Sequence, residues 1–415
     1  MPAAPPTDRS AYLWETLRAL WPEPARIVRA GRGAPRTGRT EFLVLPSEAR
    51  AVLLLPRRPR RAAAGALRHY KSSAAGPRRL LFRGLALGAA VGLADVLPHR
   101  IRIEPASPGS SADVAGYLRD VLGADVVVSI RIGPPRANRK PVLELLSPGG
   151  QVLGFAKVGI TSLTRELVRA EAGALTWLGA GSLTRLEVPR LLHHGQWHGH
   201  EILVQTPLAG SGRPGTQAEL SAAMSELAAV RGVTTQPVFQ SQYWCDLRLR
   251  LEACLPQPPA AALLRIMAEL EAGADRTNLT FGSWHGDWTP WNMTFSRGRA
   301  LVWDWERFES GVPVGYDAVH YQLQAAVTGD AAADRAAAEA AVTGAAAALA
   351  PFGVEPGAAG FVAGLYLLEI AARYLHDGAA EAGARLGDVG SWLLPVLTRH
   401  ASRLCAQPDA RGVRQ

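Results

Sequence analysis

Two stretches decide how the rest of this chain is read: Trp284-His285-Gly286-Asp287-Trp288-Thr289-Pro290-Trp291-Asn292 and Leu301-Val302-Trp303-Asp304-Trp305-Glu306. The first has the form H-x-D-x-x-x-x-N. The second is a short apolar strand ending on an aspartate, and Asp304 follows Asn292 by twelve residues. These residue types suit transfer of a phosphoryl group to a hydroxyl, which needs little covalent help and much positioning. Asp287 is the candidate acceptor of the hydroxyl proton. Asn292 offers magnesium a hard oxygen without adding charge, and Asp304 offers a charged one that bridges metal and phosphate. His285 reads as a prop for the loop rather than as the base. Three fixed residues in a loop do arise by chance in long chains. The added apolar strand, its aspartate and a suitable gap make coincidence a poor account.

Around this motif the periodicity divides the chain. Val114–Leu122 reads as a helix. Three strands follow, Val126–Ile132, Pro141–Leu146 and Val152–Val158, the last two joined by a Ser-Pro-Gly-Gly turn. A helix over Leu163–Leu178 ends at glycines, and further strands are expected at Val188–His193 and Glu201–Gln205. Five strands with one helix after the third make a small antiparallel α+β lobe. From about Thr216 the chain reads as helical, over Ala218–Val230, Ala260–Ala272, Tyr316–Thr328, Ala331–Leu349 and Ala359–Leu375. Before the lobe, Ala11–Trp21 and Ala62–His69 read as helices and Glu41–Leu45 and Ala51–Leu55 as strands. The segment Glu104–Ser111 reads as a linker.

HGDWTPWN followed by VWDWE resembles the aminoglycoside phosphotransferase and choline kinase group of protein-kinase-like enzymes, which carry H-G-D-x-x-x-x-N and then D-W-E. The resemblance spans roughly residues 112–400, although only the loop and the metal strand are specific. It implies an α+β, protein-kinase-like bilobal fold, with a small antiparallel β lobe and a large helical lobe, together with ATP and Mg²⁺. The expected division is 1–111, a basic N-terminal α/β accessory region; 112–208, the small lobe and hinge; 209–405, the helical lobe; and 406–415, a loose tail.

The resemblance also calls for a lysine on the third strand of the small lobe, paired with a glutamate on the next helix. Lys157 is on that strand and is one of only three lysines among 45 basic residues, so a compact ammonium is used where arginine is the habit. Of Glu166 and Glu171, the second is chosen, because Glu171–Leu178 resembles the family's glutamate-led apolar helix. Adenine would be held by backbone groups of the hinge after the fifth strand, at Gln205 and Pro207. The turn 133–140 lacks G-x-G-x-x-G. Arg136, Arg139 or Lys140 are candidates to cover phosphates there, against the plainer reading of a solvated hairpin tip.

Five of the eleven tryptophans, at 284, 288, 291, 303 and 305, crowd the motif. Packing is the favoured role, with Trp288 and Trp291 the better candidates to line a cleft. Asp317 resembles a structural aspartate, and Tyr321, Glu369, Arg373 and Asp377, on later helices, are candidates to border the acceptor, with no pattern that selects among them. The acceptor implied is a small-molecule hydroxyl on an amino sugar, a sugar, a choline-like alcohol or an antibiotic. The alternatives are a kinase for Ser/Thr of a peptide in natural-product biosynthesis, a non-catalytic nucleotide-binding scaffold, and a basic module that binds nucleic acid.

The 48% hydrophobic and 20% charged composition is that of an ordinary globular chain. Three cysteines with no C-x-x-C spacing exclude a disulfide framework or a patterned zinc site, and a cytoplasmic location is the simplest expectation. The most apolar run picked out, Leu85–Leu97, is too short to span a bilayer and is interrupted by Asp95, so it reads as a buried helix without membrane insertion. The net charge of +9 is concentrated. Residues 49–94 hold ten Arg/Lys and no acid. With no groove-binding motif beside it, the segment reads as a solvated basic face without nucleic acid, and an acidic partner for residues 50–83 is the functional alternative.

Overall fold

The computed structural model describes residues 9–31, 40–70, 77–104, 113–133, 138–208, 212–273, 277–380 and 389–406. Most of the expected linker, the expected tail and Arg136 fall outside these residues. The chain forms two compact units, Met1–Ala172 with Pro189–Ser211, and Gly173–Val188 with Gly212–Gln415.

The first unit opens with α1 (Arg9–Leu20), β1 (Arg26–Arg29), β2 (Thr40–Leu45), β3 (Leu53–Pro56), α2 (Arg60–His69), α3 (Pro77–Val91) and β4 (Arg100–Glu104). It continues with α4 (Val114–Leu122), β5 (Val127–Arg131), β6 (Val142–Leu146), β7 (Val152–Gly159) and α5 (Ser162–Gly179). The short β8 (Leu186–Glu187) belongs to the second unit, and β9 (Leu191–Trp197) and β10 (His200–Gln205) complete the first. The expected strand at Val188–His193 is therefore shifted toward the C-terminus. Asp113 starts α4 by accepting the Gly116 N–H at 2.7 Å, and left-handed Gly123 ends it.

All nine strands of this unit form one antiparallel sheet, ordered β1-β4-β2-β3-β5-β6-β7-β10-β9. Residues 1–111 thus share a sheet with residues 112–208, joined where Leu53 pairs with Arg131 and Leu54 with Ile130. One face is covered by α1 and α4 through Leu13, Leu17 and Leu118. The other is covered by α2 and α3 through Ala62, Ala66, Ala86 and Ala89. Glycine permits a close approach here: a Cβ on Gly65 would be 2.2 Å from the Gly150 carbonyl oxygen, so α2 rests directly on the β6–β7 turn.

The expectation of a buried helix at Leu85–Leu97 is overturned. The helix ends at Val91, and Leu85, Leu87, Val91, Leu93 and Val96 are 48–69% exposed. Among the described side chains of the helix, Ala86 and Ala89 are buried in the core under the sheet and Phe82 packs against it. The basic run is not simply solvated either. Arg57 is buried and bonded to Glu41 at 2.6 Å and Asp95 at 2.9 Å.

The second unit contains α6 (Gln217–Ala229), β11 (Thr234–Pro237), α7 (Gln242–Glu252), α8 (Pro258–Gly273), β12 (Asn278–Trp284), β13 (Met293–Ser296), β14 (Arg299–Val302) and β15 (Glu309–Pro313). Helices α9 (Tyr316–Ala326), α10 (Ala331–Thr343), α11 (Ala345–Leu349), α12 (Pro356–Ala380) and α13 (Val389–Ala406) follow. The single helix expected over Ala331–Leu349 is two, parted at Gly344. A capping box of Thr216 and Glu219 starts α6. Two three-stranded sheets, β11-β12-β15 and β13-β14-β8, carry the loops that matter. The core is built on α12, whose Leu365, Tyr366, Leu368 and Ile370 are fully buried. Residues Pro356–Gly378 of that helix are apolar and long enough to cross a bilayer, but 78% of the window is buried inside the unit, as in a core helix.

Candidate active site

The loop His285–Asn292 leaves the end of β12 and is tied down on every side. Gly286 has φ 79°, and a Cβ there would be 2.3 Å from the Arg307 carbonyl oxygen, so only glycine fits. Asp317, in the first turn of α9, accepts the backbone N–H of His285 at 2.8 Å and of Gly286 at 3.1 Å. Burial pushes its carboxyl up to about 7 against the pull of those two bonds. Arg373, on α12, donates to the Gly286 carbonyl and lies over the Trp284 ring, 4.7 Å from its centroid.

His285 is fully buried. Its Nδ1 accepts the Asp287 N–H at 3.1 Å and its Nε2 donates to the Trp303 carbonyl at 3.2 Å. Those partners assign the Nε2–H tautomer, and burial pushes the ring down to about 4, so it is neutral near pH 7. His285 therefore joins the loop to the strand that carries Asp304, and both ring nitrogens are occupied.

The Asp287 carboxylate is 36% exposed. Its Oδ2 accepts from Asn292 Nδ2 at 2.8 Å, and its Oδ1 is 3.2 Å from His320 Nε2. His320 is buried on α9, and its Nδ1 is 3.0 Å from the Tyr366 hydroxyl. Burial lowers the pKa of this ring as well. The neutral ring then accepts from Tyr366 and donates to Asp287. Sequence reading missed both residues. His320 is three positions past Asp317, and nothing in that spacing announces its partner 33 residues upstream.

Asn292 and Asp304 are held at one end of a hairpin. Met293 pairs with Val302, the Trp303 N–H donates to the Asn292 carbonyl at 3.1 Å, and Asp304 comes next. The other end closes through Arg297 and Gly298, both left-handed, as a two-residue turn requires. Asp304 itself has φ 73° and ψ 56°, a strained conformation for a residue with a Cβ. It turns the chain sharply out of the strand at the expected ligand. Asn292 spends its amide nitrogen on Asp287, leaving the amide oxygen as the end that a cation would take. An amide oxygen and a carboxylate on neighbouring hairpin positions form a hard donor set that fits Mg²⁺.

In the first unit, Lys157 on β7 donates to both carboxylate oxygens of Glu171 on α5, at 2.6 and 2.7 Å. Lys157 is 6% exposed and Glu171 fully buried. Gln205 is buried at the end of β10, where it pairs with Phe155 and Leu191. Thr206 is pinned to Arg190, donating its N–H to that residue's carbonyl at 2.9 Å. Pro207 has no N–H and offers only a carbonyl. Arg139 lies over the Tyr12 ring, 3.2 Å from its centroid.

The tryptophans separate by burial. Trp284, Trp288 and Trp305 are at most 1% exposed, whereas Trp291 is 51% exposed. Trp288 is therefore packing and lines no cleft. Glu369 is fully buried and paired with Arg250 through two 2.7 Å bonds, so it too is removed from any acceptor surface. Asp377 is bonded to Arg307. Tyr321 is half-buried.

Residues 159–352 match the family model described as the phosphotransferase enzyme family. No curated protein matches the sequence. Among solved structures, a protein from Haemophilus somnus 129PT named for fructosamine-3-kinase is 13% identical, with 69% of this chain and 96% of that one covered and a TM-score of 0.46. A thermostable mutant of aminoglycoside phosphotransferase APH(4)-Ia is 15% identical, with 70% and 99% covered and a TM-score of 0.44. Amicoumacin kinase hAmiN is 13% identical, with 67% and 88% covered and a TM-score of 0.40. The family match and the element order describe an α+β, protein-kinase-like chain similar to the aminoglycoside phosphotransferase and choline kinase superfamily.

Proposed function

We propose that the chain is an ATP- and Mg²⁺-dependent phosphotransferase acting on a hydroxyl of a small molecule. The observation that carries this reading is the arrangement in the second unit, where one loop and one hairpin tie Asp287, Asn292 and Asp304 together. In this reading Lys157, steadied by Glu171, contacts the phosphates of ATP, and backbone groups at Gln205 and Pro207 hold adenine. Asn292 and Asp304 hold magnesium, which when bound neutralises charge on the transferring phosphoryl group. Asp287 orients the acceptor hydroxyl and takes its proton as the new O–P bond forms. The bond from the γ-phosphorus to the bridging oxygen breaks, and ADP leaves.

The partial exposure of Asp287 supports access by an acceptor, and Trp291, four positions on in the same loop, is exposed as well. The family resemblance supports an amino sugar, a sugar, a choline-like alcohol or an antibiotic as the acceptor. The test is a screen of such alcohols for Mg²⁺-dependent conversion of ATP to ADP, with Asp287→Asn and Asp304→Asn beside the unaltered chain. Acceptor-stimulated turnover that both substitutions abolish is expected. Nucleotide binding with no turnover on any acceptor would favour the scaffold instead, and turnover unchanged in Asp304→Asn would remove that residue from the site.

A further inference from the structure

Ten large hydrophobic side chains are exposed among the described residues, and five of them, Leu85, Leu87, Val91, Leu93 and Val96, fall within twelve consecutive positions. Such clustering marks a surface that another phase or partner covers. The same place carries unbalanced positive charge. Asp95 lies between Leu93 and Val96 in sequence, and its carboxylate gathers Arg57 at 2.9 Å, Arg58 at 3.3 Å and Arg60 at 2.7 Å. Glu41 takes the other side of Arg57 at 2.6 Å and Arg102 at 2.6 Å. Four guanidiniums therefore meet two carboxylates. Arg58 and Arg60 remain 42% and 41% exposed, and the Arg60 guanidinium lies against Gly92, between the exposed valine of α3 and the exposed leucine that follows. Arg61 and Arg83 add exposed positive charge on α2 and α3.

We infer that α3 and the turn after it dock on an anionic lipid surface, Leu and Val side chains entering the headgroup boundary and the arginines meeting lipid phosphates. A short helix with exposed aliphatics beside arginines has the chemistry of an interfacial segment. A second copy of this chain is a poorer occupant, because a two-fold contact would bring the same arginine cluster against itself. An anionic bilayer satisfies the aliphatic and the cationic groups together. The inference is independent of the phosphotransfer chemistry.

The test is co-sedimentation of the full chain with vesicles of phosphatidylcholine alone and with vesicles of phosphatidylcholine and phosphatidylglycerol in equal parts. Binding to the second and not the first is expected, weakening as salt is raised. The double variant Leu87→Glu, Val91→Glu should keep its melting temperature, since both side chains are exposed, and lose at least about tenfold in partition. Absence of sedimentation with either vesicle, or equal sedimentation of the variant, overturns the inference. So does a solution dimer that the same double variant dissolves, which would assign the surface to a second copy.

Discussion

The two polar clusters of this molecule are held in opposite ways. Lys157 and Glu171 are on a regular strand and a regular helix, fourteen positions apart, and are bonded to each other through both carboxylate oxygens. Asp287 is on a loop, and its geometry is imposed from far along the chain by Asp317, His320, Tyr366 and Arg373. The first cluster depends on secondary structure and one buried ion pair. The second depends on a network of several bonds that converge on the Asp287 loop. Single substitutions should therefore act on stability in the first and on turnover in the second.

The largest effect is expected at the proposed base, Asp287. Asp287→Asn keeps the size of the side chain and removes the proposed base, so ATP turnover should fall about 10²–10⁴-fold with little change in melting temperature. A parallel loss of stability would mean that this carboxylate is structural and that the contrast is false. Lys157→Ala should do the reverse in emphasis. It removes the ammonium that meets both oxygens of buried Glu171, at a loss of about 3–5 kcal/mol, besides weakening use of ATP. Lys157→Met combined with Glu171→Leu should recover much of that stability without recovering turnover, measured by denaturant unfolding beside an ADP-release assay. No recovery would show that packing, and not the buried charge, sets the loss.

The network predicts a smaller, separable effect at His320. Its ring hands one N–H to Asp287 and is itself positioned by Tyr366. His320→Leu should reduce kcat roughly tenfold with KM for ATP unchanged, the loss of one hydrogen bond to a charged group. His320→Gln restores a donor at about the same reach and should recover most of that rate. If both variants are equally slow, His320 fills space and does not orient the base.

Legibility in the sequence follows the same division. The loop His285–Asn292, the strand that leads to Asp304 and the strand that carries Lys157 were readable as elements because each is a short local pattern. Most strands of residues 112–208 were readable as β-branched or apolar runs bounded by turns, with β9 displaced toward the C-terminus. His320 and Tyr366 were not readable, since contacts across 33 and 46 residues leave no local trace. Strands β1 and β11, four residues each and half or more polar, are too short to announce themselves. The exposed face of α3 was misread because its apolar composition matches a core helix, and only burial shows that Leu85, Leu87 and Val91 point away from the core. Pairing β3 with β5 is equally non-local, so the unbroken nine-stranded sheet was invisible in the chain.

The mildest test concerns pH, where two groups in the loop network oppose each other. His285 falls from the usual histidine range to about 4. An unfolded chain takes up that proton below about 6.5 and the folded chain does not, so stability is lost as pH falls from 6.5 toward 4. Buried His320 and His400 shift in the same direction. Asp317 runs the other way. Its carboxyl is raised to about 7, so between roughly 4 and 7 the folded chain holds a proton that the unfolded chain has released, and stability is gained as pH falls. The unaltered protein should therefore show a shallow net slope. Asp317→Asn removes the compensating group, so the stability lost between pH 7 and pH 5 should grow by about 2 kcal/mol. Unfolding midpoints at the two pH values measure this. An unchanged slope would mean that the N–H bonds from His285 and Gly286 keep Asp317 ionised throughout, and that in this loop hydrogen bonding outweighs burial.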